Sequence, residues 1–565
     1  MNAQNDITLR DLVDRFDISL TSHREEERRE ALREFRIRSA ERVLEALEEG
    51  NVGLIADTGT GKTIVALLVF LFLYITQNSR TLFLAPQRIL TKQHKKLFSD
   101  IMRQSHVADS EKIVGGTKKR RWNDKKVPII FATPQTFMNG IRKGVVDMTT
   151  FDLVVFDEFH RTTGKYAYVY AVDEAWKTGI QTLHLSASPG GTKEKIEKIE
   201  KTCHIKTWVR EKVAMPRKIE VMRIARQDDI LQTLDQKFLS LFDRLHIQFR
   251  QFGILEKEPQ KTADLQGELF DILKTRIKKI RVLSQNELDV IAEKAQKLPF
   301  PNPRYEALSL YGIYGKLRYS YLACMEEGYA TFLSFIERTQ KKDGKRQEKR
   351  KCSRPLRTST YRFLSHPRVR EIVEIAERER DNHPKTLLLL DTLREYKKGG
   401  RSAIVFVGEK ETGKYLKEIL KEQGVVTEVL FGGKGKNIRR QEAAIKGLKH
   451  RELDFVITTS VVKEGLNVPE IDGVIHYSLP QNERERIQGN GRSGRTKEGY
   501  ISYIILDHPI EQGRYWSSFH KLKKMNEVIE EKTSPYFMFG DERIKGSLVF
   551  SPIPAFSEEY NPAYK

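Results

Sequence analysis

The chain has 565 residues, 39% hydrophobic and 31% charged, which suits a globular protein of more than one domain and excludes a fibrous or disordered chain. A net charge of +22 and a pI near 9.5 point to a polyanionic partner, nucleic acid before an anionic membrane. The cysteines Cys203, Cys324 and Cys352 stand far apart with no CxxC or Cys/His cluster, which argues against a structural zinc or a disulfide framework and fits a reducing compartment.

The first residues hold no apolar core with a cleavage site, so no signal peptide is expected. Residues 20–48 are charge-dense at helical spacing and Gly50 closes the pattern, so 1–49 reads as a helical segment. Short β-rich runs then alternate with helical ones: VGLIAD before the apolar run of 64–75, then TLFLAP, VPIIFAT, FDLVVFDE and TLHLSAS. That apolar run falls short of the ~20 residues that span a bilayer, so a buried helix and no membrane partner are expected. Apolar strands alternating with helices mean a parallel sheet covered on both faces. From about 215 to 380 the strand pattern stops and charged helical segments follow, including KKDGKRQEKRKCSR at 341–354, with eight basic and two acidic residues. Alternation resumes after His383 and Pro384 with SAIVFVG, VVTEVLF, DFVITTS, DGVIHYSL and YISYIIL. The fold class is therefore α/β: sheet domains over 50–214 and 384–519, a helical insert over 215–383, and an irregular tail over 520–565.

ADTGTGKT at 56–63 follows a strand and opens a helix, the setting of a phosphate-binding loop. Gly59 and Gly61 let backbone N–H groups of Asp57, Thr58 and Thr60 turn toward phosphate oxygens, and the helix N-terminus adds its positive end. Lys62 can reach the β- and γ-phosphates, and the Thr63 hydroxyl can ligate Mg²⁺. The metal then needs a carboxylate from a neighbouring strand end, and Asp157 after LVVF suits it. Glu158 is placed to orient and deprotonate an attacking water.

With these residues in place the chain resembles the superfamily 2 helicases over nearly all of 50–515. DEFH at 157–160 stands as a DExH box. APQRIL with Arg88, GGT with Gly116, and TPQT with Thr133 and Gln135 stand where that superfamily contacts a nucleic-acid strand. SAS, with Ser186 and Ser188, matches the motif coupling hydrolysis to motion; TTSVVKEGLNVPE, with Thr459 and Gly465, resembles motif V; and QGNGRSGR at 488–495 resembles motif VI. The resemblance implies two RecA-like motor domains, with ATP and Mg²⁺ as cofactors. It also implies Arg492 and Arg495 as arginine fingers and Gln488 as a contact to the water or γ-phosphate. His160 either links the ATP state to the domain interface or is a packing histidine.

The long insert is similar to that of the archaeal Hef and Fanconi anaemia M group, and also to the RIG-I-like and Dicer helicases. VVFDEFHRTTGKYAYV, LSASPGGTKEKIEKI and GRYWSSFHK look nearest to Hef. The resemblance implies a DNA translocase acting on forked or branched DNA, in the cytoplasm or nucleus. A duplex-RNA-dependent ATPase is the alternative. Lys341, Lys342, Lys349, Arg350 and Lys351 read either as a phosphate-binding segment or as a solvated loop. TKKRRW carries the same ambiguity, Trp122 being a stacking or a core residue. Phe159 departs from the Ala or Cys of related boxes, and Asn467 stands for the commoner Asp in motif V. REFRIRS offers no glutamine where the adenine-reading motif belongs. The tail has no ERKxxxD-type cluster, so no nuclease activity is expected in this chain, and a nuclease or clamp is expected only as a partner in trans.

Overall fold

The computed structural model describes residues 8–15, 26–104, 111–112, 122–162, 167–213, 218–256, 282–348, 358–431, 436–459, 471–493 and 498–533. The first sheet contains β1 (Val52–Ile55), β2 (Thr81–Leu84), β3 (Glu111–Lys112), β4 (Ile129–Ala132), β5 (Leu153–Asp157), β6 (Gln181–Ser186) and β7 (Thr207–Val209). The strands are all parallel, in the order β3-β4-β2-β5-β6-β1-β7. Their apolar runs are buried because helices cover both faces. The helix Lys62–Gln77, buried from Val65 to Leu71, lies against one face, and the helix Glu26–Glu49 seals it through Ile37, Ala40, Val43 and Leu47. No described helix is long and apolar enough to cross a membrane.

The second sheet contains β8 (Lys218–Ala225), β9 (Ala403–Val407), β10 (Thr427–Leu430), β11 (Phe455–Thr459), β12 (Gly473–His476) and β13 (Gly499–Leu506). It too is parallel, in the order β10-β11-β9-β12-β13-β8. β8 corrects the expectation that strands stop after 215. It pairs with β13 from Lys218 opposite Gly499 to Ala225 opposite Leu506. As an edge strand it stays mostly half-buried, so KIEVMRIA lacks the uniform apolar character of an interior strand.

Between the sheets in sequence lie the helices Asp229–Gln251, Gln285–Gln296, Asn302–Leu322, Tyr329–Glu348, Ser359–Ser365 and Pro367–Arg378. They share a core built on Phe238, Phe242, Tyr314, Tyr321 and Phe332. A π-helical turn, Ala323–Glu327, interrupts them and carries two buried acids, Glu326 and Glu327.

The tail also departs from expectation, because a helix runs over Pro509–Thr533. Tyr515 packs beside Tyr503 of β13, whereas Leu522, Met525, Val528 and Ile529 enter the first domain's core with Trp208 and Ile196. Their helical spacing explains the element: one apolar stripe docks on each domain in turn, so the helix bridges both. Trp122 is a core residue, 1% exposed and packed near Phe137.

Candidate active site between the two sheets

Register places Ile55 opposite Ser186 and Asp157 opposite Leu185, so β1, β6 and β5 end level along one edge. The loop after β1 turns through Gly59 at φ 91° and Gly61 at φ 105°, conformations that glycine adopts without strain. Lys62 donates back to the carbonyls of Ala56 at 2.9 Å and Asp57 at 3.3 Å, bridging the loop where phosphates would enter. Thr60 closes the turn, its Oγ1 donating to Asp57 O at 2.9 Å. Thr63 sits half-buried in the first turn of the helix.

Asp157 at the end of β5 is buried, and its Oδ2 lies 2.9 Å from Nε2 of His94. Its backbone oxygen accepts from Tyr168 Oη. The Thr63 hydroxyl on the first turn of the helix after β1 and the Asp157 carboxylate at the end of β5, with β6 between the two strands, fit Mg²⁺, which keeps several waters and takes few protein ligands. Thr63 and Asp157 are the residues that would hold it.

Glu158 adopts a left-handed conformation, φ 55° and ψ 46°, rare for a non-glycine residue and common where strain serves a site. Its Oε2 lies 3.1 Å from Nδ1 of His160. Burial pushes the carboxyl up, but the hydrogen bond from His160 and the nearby Lys62 and Arg161 cations outweigh it and hold the carboxyl below the ordinary carboxylate range. His160 is itself buried, which lowers its pKa against the pull of Glu158. The same Nδ1 lies 3.2 Å from Ser186 Oγ, which accepts from Ser188 N at 3.0 Å. Ser188 Oγ in turn meets Met525 Sδ on the bridging helix at 3.4 Å. Glu158, His160, Ser186, Ser188 and the bridging helix thus form one chain of contacts.

The second domain contributes the helix Glu483–Asn490 and the turn after it. The carbonyl of Ile487 accepts from Thr58 Oγ1 at 3.4 Å. Gly491 comes so close that a Cβ there would stand 1.6 Å from the same Thr58 oxygen. Gly191, just after SAS, likewise leaves room for Glu483, whose Oε2 would be 2.4 Å from a Cβ. Small residues on both sides therefore let the second domain seat on the phosphate loop. Gln488 and Arg492 are half-buried on this seat, while Arg495 and Gly465 lie outside the described residues.

Residues 29–190 match the family described as type III restriction enzyme, res subunit, and 384–497 match the helicase conserved C-terminal domain. An ATP-dependent DNA helicase of Schizosaccharomyces pombe, Fml1, is 26% identical over 504 residues, 84% of this chain and 57% of that protein. A protein of Methanocaldococcus jannaschii named as an ATP-dependent RNA helicase is 26% identical over 497 residues, 84% of this chain and 58% of its own length. The crystal structure of the Pyrococcus furiosus Hef helicase domain superimposes with a TM-score of 0.60 at 22% identity, covering 85% of this chain and 97% of that one. The chain thus carries two domains matched by helicase-type family models, and it is similar over most of its length to Fml1 and shares the fold of the Hef helicase domain. It spans little more than half the length of the two relatives compared by sequence.

The strand-contacting residues expected of such a helicase are spread over the strand ends of both sheets and the insert. Arg88 is exposed at the start of the helix Arg88–Gln104. Thr133 is buried and caps the helix Pro134–Arg142, accepting from Thr136 N at 3.3 Å, while Gln135 is exposed beside it. Thr459 ends β11 with its hydroxyl buried and without a hydrogen-bond partner among the described residues. Lys341 and Lys342 are exposed on the helix Tyr329–Glu348, not in a loop; Gly116, Lys349, Arg350 and Lys351 lie outside the described residues.

Four further residues escaped the sequence reading. His94 fixes Asp157. Arg36, within REFRIRS, is 5% exposed and donates from Nε to Thr60 O at 2.8 Å, packing over Gly61. Burial lowers its pKa to about 10, so it remains a cation at neutral pH. Arg486 is buried on the far side of its helix, paired with Glu220 of β8 at 2.9 Å and stacked on Tyr503 and Tyr515. Arg484 faces the cleft. Only Arg36 carried a signal, its place in the segment searched for a glutamine.

Proposed function

We propose that this helicase hydrolyses ATP in the cleft and uses the cycle to translocate on DNA, with forked or branched DNA as the preferred substrate. The observation that carries the reading is the seat of Ile487 and Gly491 on Thr58, which brings the start of motif VI to the phosphate loop. Lys62 and the loop N–H groups bind the triphosphate, and Arg36 adds positive potential from behind the loop. Thr63 and Asp157 would hold Mg²⁺, which would supply charge neutralisation at the phosphates. Glu158, ionised and held by His160, orients the attacking water. A triphosphate arriving beside Lys62 raises the Glu158 pKa and makes the carboxylate a better proton acceptor. Arg492 and Arg495 of motif VI would serve as guanidinium donors to the γ-phosphoryl group, where such donors are worth roughly 10³–10⁵ in rate.

Translocation follows if the two strand-binding edges grip the backbone alternately as the cleft closes and opens. Arg88, Thr133 with Gln135, and Thr459 form these edges, and the basic face at Lys341 and Lys342 contacts the duplex arms. The name of the Methanocaldococcus relative makes duplex RNA the competing substrate. One panel decides: ATPase rates with single-stranded, duplex, forked and four-way DNA and with duplex RNA. Strongest stimulation by forked or four-way DNA is expected. Stronger stimulation by RNA reverses the substrate class, and no stimulation by any of them ends the motor reading.

A further inference from the structure

Two polar atoms inside the cleft have no hydrogen-bond partner among the described residues, and they come from opposite domains. One is Nε2 of His160 in the first domain, and the other is Nε of Arg484 in the second; both atoms are buried. The pair is complementary. Nδ1 of His160 lies within reach of the Glu158 carboxylate, which can only accept, so the ring proton belongs on Nδ1 and Nε2 presents a lone pair. Nε of an arginine can only donate.

The helix carrying Arg484 is pinned on both sides of it. Glu483 seats against Gly191, which follows SAS, and Ile487 receives Thr58 of the phosphate loop. Residues 484, 487, 488 and 491 recur at helical spacing, so Arg484 lies on the stripe that faces the first domain. The groups around it agree: Glu158 and Arg161 act on Arg484, and Arg484, Arg161 and Glu158 act on His160. The Arg484 charge favours the neutral imidazole that can accept a hydrogen bond. A buried donor and a buried acceptor left open cost free energy that a small closing movement recovers.

We propose that Arg484 is a positioning residue acting across the cleft, its Nε–H donating to Nε2 of His160 on closure and so fixing the ring that holds Glu158 on the attacking water. The proposal rests on the ATPase reading given above and adds a trans contact to it. Closing the domains then does more than deliver arginine fingers: it also sets the base. Because the contact forms only in the closed cleft, it belongs to turnover and not to nucleotide binding.

The test is a double-mutant cycle on the full chain with saturating forked DNA, measuring kcat and KM for ATP in wild type, R484A, H160A and the double variant. Each single variant is expected to lose about tenfold or more in kcat with KM within about twofold. The double variant is expected to be no slower than the worse single. R484M, which keeps the apolar stem packed, serves where R484A fails to bind a fluorescent ATP analogue. Multiplicative losses, full kcat in the Arg484 variants, or an effect on KM alone overturns the proposal. Wild-type protein without nucleic-acid-stimulated hydrolysis overturns the ATPase reading as well, so the two failures are distinguishable.

Discussion

Where the helical insert meets the second sheet, buried charges face countercharges; where the first sheet meets it, buried polar atoms are left open. At the insert, Lys385 is fully buried, donates to Glu326 O at 2.8 Å and pairs with Glu511, itself 2% exposed. Glu326 pairs with Arg514. Glu327 accepts from Thr412 Oγ1 at 2.8 Å and from Ser478 Oγ at 2.5 Å, and its backbone oxygen accepts from Tyr477 Oη at 3.1 Å. Both nitrogens of His383 are open here, so the joint is not perfect, but its charges are matched. At the cleft, Thr58 Oγ1 donates to Ile487 O at 3.4 Å and Gly491 packs against the same hydroxyl. The difference teaches which interface is built to last. The π turn ties the insert to the second domain through matched buried charges, whereas the cleft leaves His160 Nε2 and Arg484 Nε open among the described residues. A DNA arm gripped by the insert would then be carried by the second domain's motion.

The largest effect should come from the moving joint. Glu158→Gln is expected to lower kcat by about 10²–10⁴ while a fluorescent ATP analogue binds within a few-fold of wild type. It should also trap the cleft closed on DNA, read as a lengthened complex lifetime. Undiminished kcat would remove Glu158 from its assigned role and leave the cleft without its chemistry.

The fixed joint should answer in stability instead. Lys385→Met leaves Glu511 buried without its countercharge, at an expected cost of about 3–5 kcal/mol. Hydrogen exchange over residues 323–327 and 384–398 should rise, while exchange over 52–63 stays unchanged. A loss below about 1 kcal/mol, or faster exchange at the phosphate loop, would break the contrast between the joints.

Glu326 sharpens it through pH. Burial, aided by Glu511 and Glu327 and opposed by Arg514 and Lys385, pushes its carboxyl up to about 7 from an ordinary 4.5. Between those values the folded state keeps a proton that the unfolded state has lost, so stability falls as pH rises from about 4.5 to about 7. The whole drop is about 3 kcal/mol if this group acts alone. Glu326→Gln should flatten that slope in urea titrations at several pH values; an unchanged slope assigns it to other groups.

What sequence could show of this arrangement follows the range of the physics involved. Phosphate chemistry demands contiguous residues at strand ends, so the loop at 56–63, Asp157 and Glu158 were legible from local pattern. Trp122 was not, because only burial decides between stacking and packing. β8 was missed because its partner β13 lies far along the chain and its outer edge is open to solvent. The helix Pro509–Thr533 was cut short because its apolar stripe changes domains partway along. His94, Arg36 and Arg484 stood unnoticed because an isolated His or Arg acquires meaning only from the atom across from it.

The smallest effects give the strictest test, because a matched pair of substitutions removes one hydroxyl from each joint. Thr412 is fully buried, and its Oγ1 serves both Glu327 at 2.8 Å and Thr331 Oγ1 at 2.9 Å. Thr412→Val withdraws a donor from a buried carboxylate, for which about 1–3 kcal/mol is expected. Thr58→Val removes a half-exposed hydroxyl whose 3.4 Å bond to Ile487 lies at the limit of useful geometry. Its cost to stability should stay within about 0.5 kcal/mol. Both substitutions exchange a hydroxyl for a methyl at constant shape, so the ratio of the two losses reports the joints and not the chemistry of the change. Urea unfolding of the full chain at one pH measures both. Equal losses would mean that the cleft is as firmly made as the insert, and a motor that must break such a contact at every turnover would need a different hinge.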